Sequence, residues 1–299
     1  KELIENSIDA KSKNIHIIIK NAGKTLVQII DDGMGMNQND AAICFQKHTT
    51  SKIKETIDIM HINTMGFRGE ALSSIASIAE VELKTKTQDD SIGTLIIIDN
   101  SKIQKKTQIA TPKGTSIAVK NLFFNIPARK NFLKSDKIEM KHILESFMQL
   151  AIANHQISFK LNNDGKIIYN IAATNLKQRI IQVFGKKYQQ KILPIKEETS
   201  IVSLDGFLGN PLDARKTKGE QFLYVNKRFI KSGYLNHAIK NAMHNIIHPD
   251  QYPSYFIFLR IKPSDIDINI HPNKIEVKFE DEKAIYQILK STCKKSIGM

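Results

Sequence analysis

The sequence contains little cysteine and no long apolar run. Its two cysteines, Cys44 and Cys293, have no CxxC spacing, so they indicate neither a disulfide framework nor a zinc site and fit a reducing compartment. No stretch approaches the roughly 18 uninterrupted apolar residues of a membrane span, and no signal-like segment begins the chain. We therefore expect a protein of the cytoplasm, or of the nucleus if its source is eukaryotic, with no membrane partner.

Acidic residues are also scarce relative to basic ones. The 299 residues include 30 acidic and 44 basic side chains, which gives a formal net charge of +14. A surplus of this size indicates an acidic partner such as nucleic acid. The hydrophobic content of 41% is enough for the cores of two ordinary domains.

Strand-like and helix-like segments are mixed along the whole chain, without an internal repeat or a low-complexity tract. NIHIIIKN and LVQIID flank the turn residues NAGK and predict a hairpin, and a second hairpin is predicted with its turn at Asn163–Gly165. This mixture predicts the α/β or α+β class. The segment QQKILPIKEETS contains Pro194 and has little periodicity, so we predict a first domain over 1–188, a linker over 189–199 and a second domain over 200–299.

The opening stretch, KELIENSIDA, predicts an amphipathic helix. Residues four apart differ by about 40° around a helix axis, so Glu2 and Asn6 share a polar face, with Glu5 and Asp9 close to it. The apolar residues lie mostly on the other side, which suits a helix laid on a sheet with its acidic edge directed into a cavity. A solvated helix face would produce the same pattern.

Two glycine-containing turns carry the clearest local chemistry. In DDGMGM, Asp31 ends a strand and Gly33 and Gly35 follow, which places an acceptor beside backbone that can approach a ligand closely. The exocyclic amine of adenine is a matching donor. In GFRGE, the glycines lead into a helix whose first-turn N–H groups can bind phosphates. Taken singly, each motif would also suit an ordinary turn or loop.

The ordered set of motifs is more specific than its members. It comprises ELIENSIDA, DDGMGM, HTTSKI, GFRGEALSSIASIA, GTSIAVKNLFFNIPARKNFLK, VNKRFI and DINIHPNKIEVKF. In this order the motifs resemble the MutL family of DNA mismatch repair proteins, which belongs to the GHKL ATPase superfamily with gyrase B, heat-shock chaperones and histidine kinases. The resemblance runs from end to end, and it implies a GHKL-type α/β sandwich followed by a smaller domain of the ribosomal-protein-like βαβ type.

The resemblance also implies roles for residues of the first domain, with ATP and Mg²⁺ as cofactors. Glu2 matches the general base that activates the attacking water, and Asn6 matches the residue whose amide oxygen holds Mg²⁺. Asp31 matches the acid that reads adenine, with Gly33 and Gly35 closing the backbone over the base. Thr115, which follows Gly114, matches the threonine that supports the adenine contact.

Residues 49–53 and 66–72 resemble the two ends of the family's ATP lid. The residues that this likeness assigns to the phosphate side are Lys52, Gly66, Arg68, Gly69, Glu70, Ala71 and Leu72. Arg68 could equally be a structural ion-pair partner of Glu70 or Glu5. Lys274, in HPNK, resembles the lysine that reaches the γ-phosphate from the second domain, where its charge would stabilise the transition state.

The second domain also contains a basic stretch that the resemblance links to DNA. The candidates for non-specific contact with DNA are Arg215, Lys216, Lys218 and Lys240. For any single lysine, solubility is the competing explanation, and the 102–141 segment is basic as well. The phenylalanines of NLFFNIPARKNF are predicted to be core residues rather than base-stacking platforms.

The family resemblance predicts a mismatch repair ATPase that self-associates on binding ATP and signals to a mismatch-recognition protein and to a downstream nuclease or helicase. The rival hypotheses are a nucleotide-regulated DNA-binding scaffold without significant hydrolysis and a gyrase B type ATPase. The chain begins at Lys1, about twenty residues after the usual start of the family. We therefore expect an excised fragment, a loosely held Glu2 and weak turnover.

Overall fold

The computed structural model describes residues 1–46, 70–267 and 276–298. The chain divides into two compact units, Lys1–Asn175 and Leu176–Met299. In the described part, no helix is both long and apolar enough to cross a membrane.

One mixed sheet of eight strands forms the centre of the first unit. Its spatial order is β5 (Lys102–Ile109), β4 (Gly93–Asp99), β3 (Glu80–Lys86), β6 (Gly114–Lys120), β2 (Leu26–Asp31), β1 (Asn14–Lys20), β7 (Ser158–Asn163) and β8 (Lys166–Ile171). Neighbouring strands are antiparallel except for β1 and β7, which are parallel. Both predicted hairpins, β1–β2 and β7–β8, are confirmed.

The sheet is buried mainly on one face, as its alternating apolar pattern requires. In β1, Ile15, Ile17 and Ile19 are each at most 2% exposed, while the residues between them are half-buried. β3 and β7 alternate in the same way. This period of two is expected for strands that carry helices on one side only.

Five α-helices accompany this sheet within the described part of the first unit. They are α1 (Glu2–Asp9), α2 (Gln38–Ile43), α3 (Ala71–Ala76), α4 (Pro127–Lys130) and α5 (Asp136–Ala153). The last of these packs on the sheet through Phe147, whose ring lies edge-on to that of Phe159 with centroids 5.9 Å apart. Helix α1 buries Leu3 and Ile4 and leaves Glu2 exposed.

The second unit has a five-stranded sheet in the order β12 (Arg228–Ile230), β11 (Gln221–Val225), β13 (Tyr255–Arg260), β10 (Ser203–Gly209) and β9 (Ile192–Glu198). It also contains α6 (Leu176–Phe184), α7 (Gly233–Ala242), α8 (Glu282–Ser296) and a short pair formed by β14 (Ile266–Asp267) and β15 (Lys278–Phe279). The β11–β13 pair is parallel, and α7 lies between the two strands in the chain. This is the βαβ connection that was predicted, and the α/β fold class is confirmed.

Side chains on the two faces of this sheet have different partners. In β13, Ile257 and Leu259 belong to the aliphatic core that also contains residues of α7 and α8. Phe256 points the other way, and its ring lies 5.4 Å from that of Phe222 and 5.3 Å from that of Phe184. Aliphatic packing on one face and aromatic packing on the other leave this sheet covered on both sides.

The predicted linker over 189–199 is wrong. Most of this segment is strand β9, which pairs with β10 along its whole length. The boundary between the units lies at residues 175 and 176, so α6 belongs to the second unit. Pro194 suggested a linker, but β9 is an edge strand, where a residue without a backbone N–H is tolerated.

Candidate nucleotide site

Three polar side chains lie next to one another at the end of the first unit's sheet. Asp31, the last residue of β2, is directly opposite Thr115 of β6, and Thr115 is directly opposite Thr85 of β3. Directly paired residues project to the same face of a sheet. The strand register therefore gathers a carboxylate and two hydroxyl groups into one polar row.

Asp31 is only 9% exposed and is held by hydrogen bonds. The Ser7 hydroxyl donates to Oδ2 at 2.7 Å, and the Gly33 backbone N–H donates to Oδ1 at 2.9 Å. Burial raises the pKa of Asp31 above its ordinary value, and these hydrogen bonds offset part of that effect. Hydrogen bonds from the Ser12 side chain and the Thr115 backbone also lower its pKa. An ionised carboxylate can only accept hydrogen bonds, so the group suits a ligand that donates.

The neighbouring Asp32 has a different function. Its Oδ1 accepts from the backbone N–H groups of Lys13 and Asn14, at 2.8 and 2.9 Å, and its Oδ2 accepts from the Asn14 side chain at 2.7 Å. Although burial alone would raise the pKa of Asp32, these hydrogen bonds lower it. Asp32 therefore secures the start of β1, whereas Asp31 is the carboxylate of the polar row.

The glycines beside Asp31 are required by close backbone contacts. Gly35 has a φ of +70°, and a Cβ atom on it would lie 2.0 Å from the carbonyl oxygen of Lys86. Gly114 has a φ of +113°, and a Cβ atom there would lie 2.0 Å from the carbonyl oxygen of Asp31. Both positions combine a left-handed backbone with no space for a side chain, which only glycine satisfies.

Sequence reasoning missed two hydroxyl residues of this site. Ser7 bonds Asp31 directly, and Thr85, which is 1% exposed, accepts from the Met36 N–H at 2.9 Å. The Thr85 hydroxyl also lies 3.0 Å from the Gly114 carbonyl oxygen and 3.1 Å from the Thr115 hydroxyl. Neither could be placed from a short motif: Ser7 reaches Asp31 only because α1 packs on the sheet, and Thr85 reaches Thr115 only because β3 pairs with β6.

Helix α1 contains two further predicted residues, Glu2 and Asn6, and contacts Asp31 through Ser7. Ser7 ties the helix to Asp31, and Asn6 immediately precedes it and is half-buried. Glu2 is exposed in the first turn, and the N-cap residue, Lys1, supplies no side-chain cap. The structure therefore shows Asn6 half-buried in the middle of this helix and Glu2 on its exposed end.

The other predicted phosphate residues are only partly covered by the structure. Glu70 is the N-cap of α3, and Ala71 and Leu72 form its first turn, where backbone N–H groups have no acceptor within the helix. Lys52, Gly66, Arg68, Gly69 and Lys274 lie outside the described residues. Among the described residues, no group of three or more His, Cys, Asp or Glu side chains could hold a metal ion.

In the second unit, the predicted basic residues meet at Tyr252. The ammonium groups of Lys218 and Lys240 lie 5.2 and 5.1 Å from the centre of its ring. Arg215 joins them because its backbone forms two hydrogen bonds with that of Tyr252, at 3.0 and 2.7 Å. Lys216 is exposed next to Arg215.

Arg215 is also attached to a buried carboxylate. Its guanidinium forms an ion pair with Glu220, which is 6% exposed. Glu220 accepts as well from the Tyr188 hydroxyl and, at 2.6 Å, from the Ser254 hydroxyl. This network fixes the position of Arg215, so part of its charge is neutralised within the protein.

The fold of the first unit belongs to a known class of ATPase domains. Residues 1–127 match the family described as histidine kinase-, DNA gyrase B-, and HSP90-like ATPase. The Aquifex aeolicus MutL ATPase domain complexed with ADP has a TM-score of 0.67 and 24% identity, covering 88% of this chain and 90% of that one. At that identity the likeness shows the fold alone.

The particular family is identified by the whole chain. Residues 180–298 match the family described as DNA mismatch repair protein, C-terminal domain. The DNA mismatch repair protein MutL of Christiangramia forsetii is 52% identical over 298 residues, which cover 100% of this chain and 48% of the relative. The N-terminal domain of a DNA repair protein has a TM-score of 0.84 and 29% identity, covering 99% of this chain and 92% of that chain. The chain belongs to the MutL family of DNA mismatch repair proteins, and it spans about half the length of the curated relatives it matches.

Proposed function

We propose that the first unit binds Mg·ATP and hydrolyses it as part of DNA mismatch repair. The observation that carries this proposal is the buried carboxylate of Asp31, an acceptor that lies beside two glycines that cannot carry a side chain. A purine with an exocyclic amine is the ligand whose donor matches this acceptor. Membership of the MutL family supports the assignment.

The phosphate side of the site is assigned to α1 and to the start of α3. Asn6 would hold Mg²⁺ through its amide oxygen, and Mg²⁺ usually retains several waters and binds through phosphates rather than in an all-protein cage. When bound, the metal neutralises phosphate charge. Because the pocket contains no cluster of acids among the described residues, it fits a metal that arrives with the nucleotide.

Hydrolysis is assigned to Glu2 as general base and to Lys274 as the γ-phosphate ligand. Glu2 is exposed in an uncapped first turn, so we expect slow turnover by these 299 residues. Replacing Lys274 with Ala should slow hydrolysis and leave ADP binding nearly unchanged. Equal loss of hydrolysis and ADP binding would contradict the assignment of Lys274.

Calorimetric titration with ADP and with adenylyl imidodiphosphate in Mg²⁺ tests the proposal. We expect both nucleotides to bind one site on the first unit, and binding of neither would refute nucleotide recognition. Oligomeric state measured during the same titration tests ATP-gated self-association. Turnover by the full-length protein separates this proposal from a DNA-binding scaffold that does not hydrolyse ATP.

A second function, non-specific DNA binding, is favoured by the convergence of Arg215, Lys218 and Lys240 at Tyr252. Each lysine that neutralises a phosphate should steepen the dependence of log K on log[salt] by about 0.9. We expect Lys218→Ala and Lys240→Ala each to make this slope shallower by about the contribution of one phosphate contact. Lys295→Ala removes an exposed lysine paired with Glu197 and is the matched control.

DNA binding and nucleotide binding would connect this chain to the rest of repair. We propose that ATP-dependent self-association transmits a signal from a mismatch-recognition protein to a nuclease or helicase, in the cytoplasm of a bacterial cell. Pull-down of such partners with ATP, and its loss in Asp31→Asn, would support this coupling. Nucleotide-independent capture would refute it.

A further inference from the structure

The Thr85 hydroxyl oxygen lies within hydrogen-bond distance of three groups but has only one proton to donate. Its oxygen lies 3.0 Å from the Gly114 carbonyl oxygen and 3.1 Å from the Thr115 hydroxyl oxygen. It also accepts from the Met36 N–H at 2.9 Å. A hydroxyl group has one proton to donate and two lone pairs that accept.

The directions of these hydrogen bonds follow from counting protons. Two oxygens about 3 Å apart attract each other only when a proton lies between them. The carbonyl of Gly114 has no proton, so the Thr85 hydroxyl donates its own to that carbonyl. The contact between Thr85 and Thr115 then needs a second proton, which only the Thr115 hydroxyl can supply. Thr115 is therefore the donor and Thr85 the acceptor.

This arrangement determines what Thr115 presents to a ligand. Since its proton is directed to Thr85, the Thr115 hydroxyl faces the pocket with acceptor lone pairs only. Asp31, directly opposite Thr115, also presents acceptors. The two groups that line the polar row thus favour a base edge that donates and disfavour one that accepts.

We propose that Thr85 is a positioning residue that sets the selectivity of this pocket for a 6-amino purine over a 6-oxo purine. It acts through Thr115 and rests on the proposed nucleotide function. Adenine has an amine at this position, whereas hypoxanthine has an oxygen that would face the lone pairs of Asp31 and Thr115. Because Thr85 is 1% exposed and contacts β6 and the Gly35–Met36 loop together, its hydroxyl is held in one orientation.

The test compares ADP with inosine diphosphate by calorimetry, in the whole chain and in the presence of Mg²⁺. The wild-type protein should bind ADP at least ~100-fold more tightly, as expected when a site's buried polar groups would be mispaired by the wrong ligand. In Thr85→Val the freed Thr115 hydroxyl can rotate and donate to the 6-oxo group, so the ratio should fall ~10-fold or more. Thr85→Ser keeps the hydroxyl and should keep the wild-type ratio.

Thr94→Val is the matched control, because Thr94 lies directly opposite Thr85 on β4 and is buried at 5%. It should leave the ratio unchanged. A Thr85→Val protein that folds and binds ADP with the wild-type ratio would overturn the inference. If Thr85→Val does not fold, equal binding of ADP and inosine diphosphate by the wild-type protein would overturn it as well. Failure of the wild-type protein to bind either nucleotide would instead refute the proposed function.

Discussion

Asp31 and Thr115 are directly opposite each other across the β2–β6 ladder, and the carbonyl oxygen of Asp31 leaves no room for a Cβ atom at Gly114. The acid that would read a base is thus fixed by the same backbone contact that brings its partner hydroxyl alongside. Ser7 and Gly33 hold the carboxylate from the other side. The position of the carboxylate thus depends on close backbone contacts. Substitutions at the contacting residues and at their neighbours should therefore have clearly different effects.

Asp31→Asn should abolish most of the affinity for ADP. The substitution replaces part of a buried acceptor with a donor that would face the donor of adenine, at a cost of about 1.5–3 kcal/mol, or roughly 10- to 150-fold in Kd. Calorimetry provides the measurement. Asp32→Asn is the matched control, since Asp32 secures Lys13 and Asn14 instead of lining the pocket. It should lower the unfolding temperature and leave the Kd for ADP within a few-fold, and equal loss of affinity in both variants would contradict these assignments.

The affinity for adenosine should fall as the pH is lowered, beginning at a higher pH than for an ordinary aspartate. Burial raises the pKa of Asp31, and binding requires its ionised form as acceptor. Adenosine is the suitable ligand because it has no phosphate to titrate.

Protonation of Asp31 would not unfold the protein, so unfolding linked to this residue would not explain such a loss of affinity. An acid whose pKa is higher in the folded state stabilises the fold below its unfolded pKa, and this contribution is lost as the pH rises through the folded pKa. Protonation of Asp31 at low pH thus stabilises the folded protein relative to the unfolded one while it weakens the binding of adenosine. The Asp32→Asn variant should show the wild-type pH profile, and a profile that is flat until ordinary aspartates titrate would exclude Asp31 as the group responsible.

Gly35→Ala should destabilise the first unit far more than Gly165→Ala. The two glycines have similar backbone angles, with φ of +70° and +82°, so the strain of placing alanine in the left-handed region is similar, about 1–2 kcal/mol. Only Gly35 has a backbone oxygen, that of Lys86, within 2.0 Å of the new Cβ atom, whereas Gly165 has no atom within 4 Å. Urea unfolding followed by circular dichroism should reveal the difference, and comparable losses in the two variants would refute the close contact.

Local chemistry in the sequence was sufficient to predict part of this polar row. Asp31, Gly35 and Thr115 follow from an acid and glycines at strand ends together with a family resemblance. Thr85 could not be found in this way, because β3 pairs with β6 and its neighbour is 30 residues away in the chain. Register across non-consecutive strands depends on the whole sheet, which no short motif specifies.

Two other predictions failed for reasons of packing. Pro194 marked a linker, but it lies in an edge strand opposite Phe207, where the missing N–H costs no ladder hydrogen bond. Phe132 was expected in the core and is 82% exposed. Composition favours burial of an aromatic residue, but it does not determine which one of a phenylalanine-rich segment is left outside.

Glu220→Ala should destabilise the second unit strongly, even though Glu220 lies far from the nucleotide pocket in the chain. The carboxylate is 6% exposed and accepts from Tyr188, Ser254 and Arg215, so its removal leaves two hydroxyl groups and a guanidinium without their acceptor. The Arg215 side chain is 47% exposed, so the loss comes mainly from the two buried hydroxyl groups left without an acceptor, at about 1–3 kcal/mol each. Glu197→Ala is the matched control: its 3.5 Å ion pair with Lys295 is largely exposed, and such pairs contribute about 0–1 kcal/mol. Thermal unfolding should therefore distinguish the two variants by well over a kilocalorie per mole, and equal destabilisation by both would contradict the importance of the Glu220 network.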